Sequence, residues 1–122
     1  MSRGWVNDFC AEFPGAVHSD PWGGGHDCWK LGERIFALIG TREDRVSVKC
    51  DTRETATMLI EAGVAFRAPY MHRSWVALPC NAARDELAHR IIRSYCLIRE
   101  KLPRTIRDGL APFDPAALRM EF

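Results

Sequence analysis

Cations and aromatics interleave in one stretch of this sequence. Arg67, His72 and Arg73 flank Tyr70 and Trp75, and Arg90, Arg93 and Lys101 follow at helical spacing. Guanidinium groups offer paired donors to phosphate, and a neighbouring ring offers a face on which a base can stack. That is the chemistry of nucleic-acid contact. The same residues also fit a plain solvated helix face, with cations favourable near a helix C-terminus.

Other chemistry-bearing residues are less well placed. His26 and Cys28 form an H-x-C pair with His18 upstream, but zinc takes four ligands, commonly as two close pairs, and Cys50, Cys80 and Cys96 stand apart. Gly23-Gly24-Gly25 would suit a phosphate cradle only if a helix followed; a strand candidate follows instead, and neither G-x-G-x-x-G nor a P-loop lysine is present. A hairpin loop is the reading there. Cys50 precedes a helix start, which can activate a thiol, yet it completes the alternating apolar set Val46, Val48, Cys50 and reads as a buried, inert side chain. His72 or His89 would need a partner set to act as a base, and no Cys/His/Asp spacing or carboxylate pair accompanies them. The chain is therefore read as non-catalytic, with no metal and no cofactor.

The chain has 122 residues, 47% hydrophobic and 27% charged, enough for one core without staples. Net charge is +1, a poor global signature for a polyanion binder. The distribution says more. Residues 1–66 carry seven basic and ten acidic side chains, whereas residues 67–107 carry nine basic and three acidic. Five cysteines without a C-x-x-C, and no apolar h-region in Met1–Asn7, suggest free thiols in a reducing cytoplasm. No apolar run approaches the ~20 residues that span a bilayer.

The elements that must position these groups follow from periodicity. Val6, Phe9, Cys10 and Phe13 predict a first helix over 2–13, stopped by Pro14-Gly15. Ala16–Asp20 reads as extended. Strands are expected at His26–Leu31 and Arg34–Ile39, joined by a tight Gly32-Glu33 turn, and at Arg45–Cys50. Asp51 and Glu54 suggest a capping box for a second helix over 52–62. Val64–Tyr70 reads as irregular or extended, Ser74–Leu78 as a strand. The longest helix, 82–102, carries an apolar stripe of Leu87, Ala88, Ile91, Tyr95, Ile98 and Leu102. Pro103 ends it, and Asp114-Pro115 could cap a final turn. Trp29 and Trp75 are expected between sheet and helices, and Trp22 at the surface.

These landmarks, in their order, resemble the MmcQ/YjbR family, small bacterial proteins described as DNA-binding. The matching elements are Phe13-Pro14-Gly15, Trp22-Gly23, Trp29-Lys30, Gly32-x-x-Ile35-Phe36-Ala37-Leu38, Val48-Lys49-Cys50-Asp51, Tyr70, Ser74-Trp75-Val76, Ser94-Tyr95 and Lys101-Leu102, over residues 5–107. The resemblance implies a CyaY-like (frataxin-like), double-wing α+β fold: an antiparallel β-sheet meander with helices packed on one face. It implies no cofactor and no catalytic set. A frataxin-like metal role would need an acidic ridge on the first helix, where only Asp8 and Glu12 occur. The segment 108–122 runs past the usual end.

The expectation is thus one domain over 1–107, with 108–122 packed on it or trailing from it. Its expected partner is DNA, held by Arg67, His72, Arg73, Arg90, Arg93 and Lys101, with the Tyr70–Arg73 loop as a wing. The alternative is a protein-interaction module using the sheet face or the tail. No membrane partner is expected.

Overall fold

The computed structural model describes residues 2–41, 44–69 and 71–114. The elements are α1 (Ser2–Ala11), β1 (Val17–Ser19), β2 (Asp27–Leu31), β3 (Arg34–Ile39), β4 (Arg45–Lys49), α2 (Arg53–Glu61), β5 (Phe66–Arg67), β6 (Trp75–Pro79), α3 (Arg84–Glu100) and α4 (Arg104–Asp108). The strands form one sheet in the order β1-β2-β3-β4-β6-β5, and every neighbouring pair is antiparallel. The first four strands make the expected meander. β6 then adds beside β4, and the short β5 closes the edge.

Strand alternation explains which face is covered. Trp29, Ala37, Val48 and Val76 share one row through the registers, and Ile39, Val46 and Leu78 share the next. All are buried in the main core. The α3 stripe Leu87, Ala88, Ile91, Tyr95, Ile98 and Leu102 lies against them, with α1 and α2 contributing Val6, Phe9, Cys10 and Ala56. Among the described residues no helix is long and apolar enough to cross a membrane.

Several boundaries differ from the sequence reading for local reasons. The cap of α2 is Thr52, whose side chain accepts from the Thr55 amide, and not Asp51 with Glu54; Asp51 instead accepts from the Thr52 amide. α3 starts at Arg84, with Ala83 in the cap position and no side-chain cap. Pro103 ends α3 but also starts α4, since a proline is tolerated where the amide would be unpaired anyway. Trp75 is buried on the opposite face of the sheet, with Ala68, Ala77, Ile35 and Met71, and not between sheet and helices. Asp114 is non-helical, and the turn expected after it falls outside the described residues, as does Tyr70.

Candidate nucleic-acid interface

Arg93 lies on the side of α3 away from its buried stripe, Arg90 flanks the stripe, and Lys101 is the C-cap just past the last turn. Arg90 is half-buried, with its guanidinium against the Cys50 thiol and its Nε buried without an acceptor. Arg93 sits close enough to Asp51 to help hold that carboxyl below its usual range, behind the larger effect of the Thr55 hydrogen bond. Lys101 lies beyond the last turn, near Lys49 at the end of β4. Burial, and then the Lys101 charge, hold the Lys49 ammonium below its ordinary pKa. A nearby like charge disfavours the charged form of Lys49.

Lys49 links this cluster to the turn before β6. Its Nζ donates to Ser74 Oγ at 2.9 Å, and Ser74 Oγ stands 2.9 Å from His72 Nδ1. The Ser74 amide also donates to His72 Nδ1, at 3.1 Å. That nitrogen is therefore the acceptor, Ser74 passes its hydroxyl proton toward it, and His72 is left with Nε2–H as its outward donor.

The next residue, Arg73, belongs to a second group. With Arg67 it lines a shallow pocket of about 310 Å³ against α2, completed by Thr57, Ile60 and Glu61. The two groups meet at the His72–Ser74 turn. Among the described residues the ion pairs are Arg3–Asp27, His18–Asp27, His26–Asp20 and Arg104–Asp108. None of the six expected site residues is in them, nor is Lys49.

The rest of the basic stretch is occupied structurally. Arg99 donates to Tyr95 Oη at 3.0 Å and to the Ala111 carbonyl at 2.7 Å, tying the tail to α3. Arg107 donates to the Glu100 carbonyl, and Arg84 lies over the Trp5 ring. Sequence reasoning passed over Lys49 as a site residue. Its signal was available: with Arg45 and Ser47 it alternates onto the sheet face opposite Val46 and Val48.

The YjbR family model matches residues 11–97. The chain belongs to the YjbR family. Its fold is similar to the crystal structure of a Deinococcus radiodurans protein with the domain DUF419, at a TM-score of 0.74 and 22% identity, over 84% of this chain and 83% of that one. No curated protein matches it.

Elsewhere on this YjbR chain, the polar groups are already committed. The glycine loop is filled by its own anion: Asp20 accepts from the Gly25 amide at 2.9 Å and the His26 amide at 3.1 Å, which lowers its pKa. All three glycines have positive φ, a conformation that makes this inward turn of amides accessible. His18 and Arg3 share Asp27, each at 2.6 Å. Burial alone would raise the Asp27 carboxyl. Hydrogen bonds from Asn7, His18 and Arg3 outweigh it and bring it down to about 2. The cysteines are free thiols; Cys50 is buried as expected, and burial, followed by Asp44, pushes Cys80 up to about 11. His26 bonds within its loop, and Cys28 is fully buried.

Proposed function

We propose that this YjbR-family protein is a small non-catalytic DNA-binding protein that holds duplex phosphates along the cations flanking α3 and the His72–Ser74 turn. Arg93, Lys101 and Lys49 supply charge along one side of α3, and the Arg67–Arg73 pocket extends it past the turn. His72 donates through Nε2. Arg90, wedged against Cys50, orients the α3 face more than it reaches outward.

The observation carrying this reading is the placement of Lys49 near Lys101 and bonded to Ser74, with neither lysine nor Arg93 in a described ion pair. Cations gathered on one surface are what counterion release from DNA requires. The test is binding of the full chain to a labelled duplex across a salt series. Affinity should fall steeply as salt rises, and Arg73→Ala and Arg93→Ala should each flatten the log–log slope by about one unit. An undetectable or salt-independent interaction would overturn the proposal.

A further inference from the structure

Two arginines meet beside α2 from different segments. β5 alternates like any strand, so Phe66 turns to one face, where the Arg45 guanidinium lies 3.8 Å from the centre of its ring. Arg67 turns to the other, in the row of buried Val76. That is the helix-covered side. There α2 presents Thr57, Ile60 and Glu61, the last two spaced three and four residues from the first and so on one helix face. Arg73 reaches the same place from the turn before β6. That turn is pinned: the Trp75 amide donates to the His72 carbonyl at 2.9 Å, and the Cys50 amide to the Ser74 carbonyl at 2.7 Å. These five residues line the hollow of about 310 Å³.

Arg3, Arg84, Arg99 and Arg107 are committed to carboxylate, ring or carbonyl partners. Arg67 and Arg73 are in none of the ion pairs among the described residues, although Glu61 lines the same hollow. Two guanidinium forks over one hollow, with the Thr57 hydroxyl as a further donor, suit a phosphate. Charge then selects which kind. Two guanidiniums against the Glu61 carboxylate leave one net positive charge, so a doubly charged ligand gains about twice what a singly charged one does. A phosphate within a DNA strand carries one negative charge. A terminal phosphate monoester carries about 1.5 to 2 and has a third free oxygen. Glu61 also repels the next phosphate of a continuing strand, and a strand end has such a neighbour on one side only.

We propose that this hollow is a site for DNA ends, in which Arg67 and Arg73 hold the terminal phosphate of a strand whose duplex lies along the α3 cations. This rests on the duplex reading above and adds a preference that a line of cations does not give. Arg73 follows His72 in the turn where the Lys49 ammonium bonds Ser74, so the hollow borders the α3 surface. Ile60 supplies an apolar wall for the last sugar. Free phosphate shares the chemistry of a strand end. The end has a second hold, because the α3 cations keep the rest of the duplex in place and raise the effective concentration of its terminus.

The test is fluorescence anisotropy of the full chain with one internally labelled duplex of about twelve base pairs in three forms: 5′-phosphorylated, 3′-phosphorylated and hydroxyl-ended. A phosphorylated form should bind about tenfold tighter than the hydroxyl-ended one. Arg67→Ala should bring that ratio to about one, and Arg67→Lys, which keeps the charge and loses the fork, should lower it by about half or more. Arg93→Ala should weaken all three forms alike and leave the ratio unchanged. Arg67 is exposed, and an unchanged thermal midpoint shows that its variants are folded. Equal affinity for the three forms overturns the end site and leaves the α3 surface standing. A ratio that survives Arg67→Ala overturns it too. So does a ratio abolished by inorganic phosphate at the concentration of the duplex, which makes the hollow a site for free phosphate. Failure of every form to bind overturns the duplex reading itself.

Discussion

Ser94 is a serine in the middle of a helix, and its hydroxyl completes a sheet. Fully buried, it donates to the Phe36 carbonyl at 2.6 Å and accepts from the Lys49 amide at 2.9 Å, bridging β3 and β4 one step beyond Ala37↔Val48, the last ladder pair at that end. Ser94→Ala would leave a donor and an acceptor buried without partners, a loss of about 2–3 kcal/mol in urea unfolding. Asp27 makes a prediction in pH. Its folded-state pKa is lowered, from 3.8 to about 2. Its contribution is therefore fully present above about pH 4 and is lost as pH falls toward about 2. Wild type should lose its stability advantage over Asp27→Asn in that window, read by chemical unfolding at a series of pH values. Asn7, His18 and Arg3, the donors that cause the shift, all bond the same carboxylate, so substituting any of them should narrow the window.

The β2–β3 hairpin and the start of α2 show how local chemistry fixes an element. Gly32 and Glu33 both have positive φ, the requirement of a two-residue turn that matches strand twist. Glycine takes that conformation freely and glutamate does not. Glu33→Asn should therefore raise stability by about 0.5 kcal/mol, measured as a higher thermal midpoint. At α2, Thr52 holds the Thr55 amide at 3.0 Å. Thr52→Ala should cost about 1 kcal/mol, and Asp51→Ala less, because Asp51 serves only the amide of the cap residue and the Thr55 hydroxyl. The capping-box pattern marked the right place for a helix to begin. It named the wrong residue because two adjacent oxygen-bearing side chains compete there, and the choice depends on which of them has extended backbone at the helix start. Thr52 has it, at φ −138 and ψ 163.

Across the molecule, the aromatic residues connect pieces far apart in the chain. Phe13 packs against Phe36, Tyr95 and Phe113, and Tyr95 Oη donates to the Pro14 carbonyl at 2.6 Å. The segment after α4 is thereby laid onto the core: Phe113 meets Phe13 and Tyr95, and Leu110 crowds the position where Gly15 carries no side chain. Phe113→Ala should lower stability by about 1–2 kcal/mol by urea titration, since the ring is only partly buried. Gly15→Ala should cost more than a surface change, because a Cβ there would clash with Leu110 and Leu31 in a backbone of positive φ.

Periodicity alone set the helix stripe Leu87–Leu102, the alternation of β4, the turn at Gly32-Glu33 and the run of basic charge after residue 66, because each is written in spacings of two to four residues. Three things needed the chain to fold. Trp75 went to the far face because β6 enters the sheet beside β4, a register no local pattern encodes. The basic run divided, with Arg99 and Arg107 bonding backbone carbonyls and Arg93 and Lys101 left toward solvent, because acceptors are supplied by segments that meet only in space. Lys49 and Lys101 are half the chain apart, and Arg45 and Phe66 belong to different strands. Side-chain spacing along one element says what faces the core, while which charges and rings become neighbours is fixed by pairing between elements.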